Sequence, residues 1–178
     1  MSIGPTLETE RLLLRPPAGE DFEPWAEFHA NPDVARYLGG ALPRAVAWRA
    51  LCTVTGSWVI NGFGMFSVVE KSSGRWVGRL GPWQPEGWPG TEVGWGLARQ
   101  AWGKGYAVEG ATAAMDWAFE HLGWSEVIHA IDPANQNSQR VAERLGSRIL
   151  RRATLPPPFD VVVDLWGQTR EEWFARPR

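Results

Sequence analysis

The chain has 178 residues, of which 44% are apolar and 21% charged, and its formal net charge is −2. This composition is typical of a globular protein with a single domain, which we expect to span residues 1–178. The near-neutral charge gives no basic surface for nucleic acid. Because no apolar run reaches the roughly 18 residues that a transmembrane helix needs, and the start lacks a signal-peptide pattern, we expect no membrane insertion.

The few cysteines and histidines narrow the chemistry further. The single cysteine, Cys52, excludes an internal disulfide and favours a cytoplasmic location. The three histidines, His29, His121 and His129, lack the spacing of metal ligands, so we expect no metal and interpret them as packing or surface residues.

Hydrophobic periodicity and Gly/Pro positions predict the following elements in chain order. The predicted strands are Glu8–Arg15, Met65–Glu70, Trp76–Leu80, Thr91–Ala98, Glu126–Ile131, Ser147–Ala153 and Phe159–Trp166. The predicted helices are Asp21–Ala30, Ala45–Val59, Lys104–Leu122 and Ser138–Leu145, with a short helical turn at Val34–Leu38. This order indicates a mixed α/β sheet in which the strands before and after the long helix lie side by side and parallel.

The most informative segment is Arg99–Ala107, Arg-Gln-Ala-Trp-Gly-Lys-Gly-Tyr-Ala, between the fourth predicted strand and the long helix. Gly103 and Gly105 let the backbone approach a bound group without a Cβ in between. The helix that follows directs unpaired N–H groups and the positive end of its dipole at the same space. Such a turn can bind a phosphate or pyrophosphate.

Tryptophan is the compositional exception, with 12 residues. Four of them, Trp76, Trp83, Trp88 and Trp95, crowd one stretch. We interpret them mainly as core and loop packing, although large amphipathic rings of this kind can also line a pocket.

The pattern Gln100-x-x-Gly103-x-Gly105-x-Ala107 resembles the coenzyme A pyrophosphate loop of GNAT-superfamily N-acetyltransferases. Three further segments resemble the RimJ/RimL-like branch, which acetylates N-terminal amines of ribosomal proteins. They are Glu8–Arg15 for its opening strand, Asp132–Gly146 for its second cofactor segment and Asp160–Trp173 for its closing strand and tail. The resemblance covers nearly the whole chain. It implies one α/β (α+β) domain with a mixed, mostly antiparallel sheet of about seven strands, splayed between strands 4 and 5 and flanked by about four helices.

The resemblance also implies the ligands and the site. The co-substrate is acetyl-CoA, and the partner is an amine, either a peptide or protein N-terminus or a small molecule. The implied cofactor-binding residues are Trp95, Gly96, Leu97, Ala98, Arg99, Trp102, Gly103, Lys104, Gly105, Tyr106, Ala107, Asn135 and Ser138. The loops Leu38–Arg44, Gly81–Gly90 and Leu155–Phe159 are expected to shape the acceptor pocket, and a homodimer is compatible with the sequence.

The catalytic assignments follow from direct acyl transfer. An alkyl amine is protonated at pH 7 and must lose a proton to attack, so a carboxylate is needed, and we assign Glu92. The backbone N–H of Leu97 is assigned to the developing oxyanion. The tyrosine that many relatives use as an acid is replaced here by Ala142, so we expect Ser138, ahead of Tyr106, to protonate the leaving thiolate.

Two other functions compete with this interpretation. A dinucleotide-binding oxidoreductase shares the strand, Gly-x-Gly and helix pattern, but the position of its third small residue is occupied here by Val108. The acidic residue at the end of the next predicted strand, Asp132, lies 132 − 105 = 27 positions after Gly105, whereas the expected spacing is about 20. A coenzyme A-binding sensor that has lost catalysis is compatible with Ala142.

Overall fold

One eight-stranded sheet organises the molecule in a computed structural model that describes residues 3–177. The strands are β1 (Leu7–Glu8), β2 (Leu12–Arg15), β3 (Phe66–Glu70), β4 (Arg75–Trp83), β5 (Glu92–Leu97), β6 (Glu126–Ile131), β7 (Arg148–Thr154) and β8 (Val162–Thr169). Their order is β1-β2-β3-β4-β5-β6-β8-β7, with β5 and β6 parallel and the other neighbours antiparallel. This confirms the mixed, mostly antiparallel sheet, and it contradicts the oxidoreductase interpretation, which requires a largely parallel sheet.

Helices cover both faces of this sheet. They are α1 (Phe22–Ala30), α2 (Pro32–Ala35), α3 (Arg44–Asn61), α4 (Tyr106–His121), α5 (Gln136–Arg144) and α6 (Arg170–Ala175), with 3-10 turns at Gly19–Asp21 and Arg99–Ala101. Helix α4 packs Ala111, Ala114 and Met115 against one face. Helices α1 and α3 pack against the other face, where Trp25 and Leu51 share a cluster with Met65 of the sheet side. The candidate site lies between these two layers, where β5 and β6 separate.

The first predicted strand is two short strands rather than one. The chain turns back between Glu8 and Leu12, because the Thr9 hydroxyl accepts the Leu12 N–H at 3.0 Å. Glu109 of α4 stabilises this turn from 98 residues away, accepting hydrogen bonds from the Arg11 N–H at 2.8 Å and the Thr9 hydroxyl at 2.6 Å. The sheet therefore has eight strands, and the predicted splay between strands 4 and 5 lies between β5 and β6.

Strand β4 is longer than predicted, because Gly81 and Pro82 continue it to Trp83 instead of beginning the loop. Pro82 is tolerated because the pairing of β3 with β4 ends at Leu80, so the missing Pro82 N–H faces no partner strand. Trp83 is thereby placed opposite Glu92 of β5.

The C-terminal elements also differ from the prediction. Strand β8 begins at Val162 rather than Phe159, because the turn before it continues through Asp160, whose φ is 49°. The strand ends at Thr169, which caps the unpredicted helix α6 in a reciprocal pair with Glu172. This helix buries Trp173 completely.

The contact between Glu109 and the first turn gives a test of this fold. Glu109→Ala removes three hydrogen bonds, one of them from the Arg11 guanidinium at 2.7 Å, and should lower the free energy of unfolding by about 2 kcal/mol. Urea denaturation measures this loss. The control is Glu120→Ala on the exposed face of the same helix, which should change it by less than about 0.5 kcal/mol. Equal effects of the two variants would contradict the bracing role of Glu109.

Candidate active site

The site is organised by the separation of β5 and β6. Within the described residues, the two strands pair at a single position, Glu92 opposite Ile128, where the Ile128 N–H donates to the Thr91 carbonyl at 2.9 Å. Beyond this point the strands diverge toward the C-terminal end of β5. The splay implied by the family resemblance is present.

Glu92 lies at the closed end of the splay and is only 6% exposed. Its carboxylate accepts the backbone N–H of Ala130 on β6 at 3.0 Å and the indole N–H of Trp88 at 2.6 Å. Burial raises the pKa of Glu92 to about 7, although both hydrogen bonds and the guanidinium of Arg79 oppose this shift. A carboxyl group with this pKa can accept a proton near neutral pH.

His129 also bridges the splay, but from β6 to β5, whereas Glu92 reaches from β5 to β6. The Nδ1 of His129 on β6 lies 2.7 Å from the Val93 carbonyl of β5, and its Nε2 lies 3.0 Å from the Ser147 hydroxyl. The Ser147 oxygen also accepts a hydrogen bond from Gln168 at 2.8 Å. Because burial lowers the pKa of His129 to about 4, the imidazole is neutral and donates from Nδ1 to the carbonyl. Ser147 completes this buried network.

The main-chain groups of β5 that face the splay are fewer than predicted. The Ala98 N–H donates to the Val77 carbonyl of β4 at 2.8 Å, so Ala98 is not a donor for a ligand in the splay. The main-chain N–H and C=O groups of successive residues in a strand point to opposite sides of it. Those of Gly96 therefore also point to β4, whereas those of Trp95 and Leu97 point into the splay. The Leu97 carbonyl already accepts the Trp102 indole N–H at 2.8 Å, which leaves its N–H as the group directed at a ligand.

The glycine turn has the conformation that its sequence predicts. Gly103 and Gly105 adopt φ values of 76° and 80°, and a Cβ on Gly103 would meet nothing within 4 Å. Helix α4 begins at Tyr106, not Lys104, because Gly105 is left-handed, and no side chain caps the first N–H groups. The guanidinium of Arg11, which sequence reasoning missed, lies 3.6 Å from the position of a Gly105 Cβ. That guanidinium is paired with Glu109 at 2.6 Å, so its charge is already balanced. The turn is therefore an open cradle of main-chain donors.

Three side chains near this turn have partners of their own. The Tyr106 hydroxyl donates to Glu70 of β3 at 2.6 Å, so the prediction that it could act as an acid is wrong. The Lys104 ammonium pairs with the same carboxylate at 3.0 Å, so its charge is already balanced. Hydrogen bonds from Ser73, Tyr106 and Lys104 lower the pKa of Glu70 to about 2. The Arg99 guanidinium lies over the Trp102 ring, 4.6 Å from its centroid, at the edge of the turn.

The segment after β6 places the remaining predicted residues beside β5. The Asn135 side-chain oxygen accepts the Ser138 N–H at 3.2 Å and caps α5. The Ser138 hydroxyl oxygen accepts the indole N–H of Trp95 at 3.3 Å. Ala142 is fully buried against Ile131 and Trp166, so no hydroxyl occupies that position.

The three loops expected to shape an acceptor pocket do meet. The Trp88 and Phe159 rings are in edge contact, with centroids 5.9 Å apart. Phe159 lies 3.6 Å from the position of a Gly39 Cβ, and Pro156 lies 3.5 Å from that of Gly87. The structure therefore brings these loops together next to the carboxylate of Glu92, which Trp88 contacts directly.

This arrangement combines an anion cradle, a strand edge with exposed main-chain groups and a carboxyl group that titrates near neutrality. The residues fit a pyrophosphate-bearing ligand with an extended amide arm, because open main-chain donors and a free strand edge match those two parts. Within residues 3–177, no group of three or more His, Cys, Asp or Glu side chains is arranged to hold a metal ion. None of the helices there has both the length and the apolar character needed to span a membrane.

Comparison with known families agrees with this geometry. Residues 11–148 match the model of the acetyltransferase (GNAT) domain. The chain belongs to the GNAT acetyltransferase family. Members of this family use acetyl-CoA, which carries both the pyrophosphate and the amide arm that the site fits.

Individual GNAT relatives cover most of the chain. An acetyltransferase structure from Agrobacterium tumefaciens is 33% identical, with a TM-score of 0.81, and the match covers 93% of this chain and 95% of that one. FsC-acetyl coenzyme A-N(2)-transacetylase of Aspergillus fumigatus is 30% identical over 95% of this chain and 78% of its own. A ribosomal-protein alanine acetyltransferase from Vibrio fischeri is 19% identical, with a TM-score of 0.74 and coverage of 97% and 100%, and this likeness shows the fold alone.

Sequence reasoning missed the residues that hold the splay open. His129 was interpreted as a packing or surface residue, and Ser147 as the first residue of a predicted strand. Trp88 was recognised only as one of a group of tryptophans. Because side chains alternate along a strand, Ile128 and His129 of β6 lie on opposite faces of the sheet. The sequence around His129, however, contains no pattern that indicates its contact with the Val93 carbonyl.

The His129 bridge predicts a pH-dependent effect on stability. His129→Leu leaves the Val93 carbonyl without its donor and the Ser147 hydroxyl without its acceptor, and it should cost about 2–3 kcal/mol of unfolding free energy at pH 7.5. In the folded wild type the pKa of His129 is about 4, below the ordinary value of 6.5. As the pH falls from about 6.5 to 4, the unfolded state therefore binds a proton that the folded state does not, and the wild type loses stability.

The cost of His129→Leu should therefore shrink over that pH range. Chemical denaturation at pH 7.5, 6 and 5 measures the difference, with the exposed His121→Leu as a control that should show no such trend. A cost that stays constant or grows at low pH would contradict the neutral bridge.

Proposed function

We propose that this GNAT protein transfers an acetyl group from acetyl-CoA to a primary amine by direct attack, with Glu92 as the general base. The acceptor is a peptide or protein N-terminus or a small-molecule amine. Acetyl-CoA supplies an activated acyl group as a thioester. The observation that carries the proposal is the buried carboxyl group of Glu92, with a pKa of about 7, at the inner end of a splay that begins at an anion-binding turn.

Binding of the co-substrate uses main-chain groups for the most part. The N–H groups of residues 103–107 bind the pyrophosphate, and the positive end of α4 favours its charge. Trp95 offers the strand edge to the amide arm. The Asn135 amide nitrogen can donate to the same arm, because its oxygen is already used to cap α5. Arg99 and Trp102 flank the entrance.

Glu92 is the residue that accepts the proton of the acceptor amine. The carboxylate receives a proton from the attacking amine, directly or through one water molecule. The hydrogen bonds from Trp88 and Ala130 fix its orientation while leaving further lone pairs on each oxygen. Burial keeps its proton affinity high enough to accept the proton near neutral pH.

Two further groups stabilise charge during acyl transfer. The Leu97 N–H is directed into the splay and is assigned to the developing oxyanion, where one donor contributes about 3 kcal/mol. The Ser138 oxygen accepts from Trp95, so its own O–H remains to donate to the departing thiolate. This assigns to Ser138 the function that a tyrosine at the Ala142 position performs in many relatives.

The comparisons support acetyl transfer to nitrogen, because the Aspergillus fumigatus relative is named as an N(2)-transacetylase. We further propose membership of the RimJ/RimL-like branch and a cytoplasmic location, on the sequence segments and the single cysteine.

The role of Glu92 can be tested by its pH dependence. Glu92→Gln should lower kcat/KM by about 10²–10⁴ at pH 7.5 because the base is lost. With trifluoroethylamine, a weakly basic acceptor that stays neutral, wild-type kcat/KM should rise with pH through about 7, since only the carboxylate form accepts the proton. The variant should lack this rise.

Release of free thiol from acetyl-CoA measures both effects, and Ser138→Ala serves as a comparison that should keep the rise. Full activity of Glu92→Gln at neutral pH would show that another group is the base. Binding of acetyl-CoA without thiol release with any amine would favour the sensor function.

The glycine turn is tested by a matched pair of substitutions. Gly103 and Gly123 lie at opposite ends of α4, with φ values of 76° and 67°, and a Cβ on either would meet nothing within 4 Å. Alanine at each position should cost about 1–2 kcal/mol of stability through the same left-handed strain. Only Gly103→Ala should raise the KM for acetyl-CoA, by roughly tenfold, because the added Cβ obstructs the pyrophosphate. Equal KM values in the two variants would exclude this turn as the binding site.

A further inference from the structure

A groove with a volume of about 490 Å³ lies between the C-terminal half of α3 and the loop after β4. It is separate from the splay itself. Its lining residues are Thr53, Ser57, Ile60, Asn61, Trp83, Gln84, Pro85, Glu86, Gly87 and Trp88.

Two of these lining residues connect the groove to the candidate base. Trp88 lines the groove and donates its indole N–H to Glu92 at 2.6 Å. Trp83 lies opposite Glu92 in the register of β4 and β5, so the two side chains project from the same face of the sheet. A molecule in the groove is therefore about one indole ring away from the carboxylate.

The lining favours apolar groups. Two indoles, Pro85 and Ile60 provide the hydrophobic surface, and Ile60 is 83% exposed, so a ligand that covered it would gain hydrophobic free energy. Asn61 donates to the Ser57 hydroxyl, which itself donates to the Phe63 carbonyl, so these polar groups are satisfied without a ligand.

The charge of the lining disfavours acidic ligands. Glu86 is the charged residue among those that line the groove, and no basic residue lines it. Arg79 lies under α1, where it contacts Met65 and the rings of Trp25 and Phe28, and it does not line the groove. The Arg151 guanidinium donates to the Pro89 carbonyl at 2.8 Å and does not line the groove either.

We propose that this groove binds the part of the acceptor beyond its reacting amine, and that it selects amines attached to an apolar or aromatic group over amines attached to a carboxylate. The inference rests on the proposed function, because it takes Glu92 as the point where the amine reacts. The groove then determines acceptor specificity, and Trp88 separates the bound apolar group from the base.

The test uses two neighbouring, exposed positions on α3. Ile60 lines the groove, whereas Val59, which is 71% exposed, does not. Ile60→Trp fills the groove, and Val59→Trp places the same side chain outside it; neither buries a new group in the core. Thiol release from acetyl-CoA is measured for both variants and the wild type with ethylamine, 2-phenylethylamine and 3-aminopropanoate.

The wild type should use 2-phenylethylamine with a kcat/KM at least roughly tenfold above that for ethylamine, and 3-aminopropanoate least well. Ile60→Trp should remove this advantage by raising the KM for 2-phenylethylamine, while its KM for acetyl-CoA stays unchanged. Val59→Trp should match the wild type within about twofold.

Four results would overturn the inference. Equal effects of the two tryptophan variants, or a preference for 3-aminopropanoate, would show that the groove does not select the acceptor, while thiol release itself would leave the proposed function standing. A change in oligomeric state of Ile60→Trp, measured by size-exclusion chromatography, would show that the groove is a contact between subunits. Absence of thiol release with all three amines in the wild type would contradict the proposed function and this inference together.

Discussion

Two side-chain hydrogen bonds replace the main-chain pairing that would otherwise join β5 to β6. The Glu92 carboxylate takes the Ala130 N–H, and the His129 imidazole donates to the Val93 carbonyl. Each bridge satisfies a backbone group that would be costly to leave unpaired in the interior. The strands can therefore stay apart without a ligand, and the edge of β5 at Trp95 and Leu97 remains accessible. The other features of the site depend on this gap.

The same burial that makes the bridges necessary also sets their charge states. Removal from water favours the uncharged form of both groups, so the pKa of Glu92 rises to about 7 and that of His129 falls to about 4. Near neutral pH, His129 is a fixed neutral bridge, whereas Glu92 can exchange a proton. Of the two bridging residues, His129 is therefore structural and Glu92 is chemically active. Glu92 lies next to the loops that carry Trp88 and Phe159.

The sequence predicted the parts of the molecule that have a local signature. The glycines at 103 and 105 specified the turn, and the apolar run at Glu126–Ile131 gave β6 with its observed bounds. The parts that depend on distant contacts were missed. The first strand was not divided because Glu109 acts on its turn from 98 residues away. Ala98 was wrongly assigned to the ligand. Its N–H pairs with the Val77 carbonyl, and this pairing depends on the register of β4, which no local sequence pattern encodes.

The most direct test is a crystal structure of the protein with coenzyme A bound. The account predicts that the pyrophosphate lies within hydrogen-bond distance of the N–H groups of residues 103–107, and that the amide arm pairs with Trp95 inside the splay. It also predicts that the sulfur points toward Glu92 and that the Ala130 and Val93 bridges are intact. Coenzyme A bound elsewhere, or a splay closed by direct pairing of β5 with β6, would contradict it.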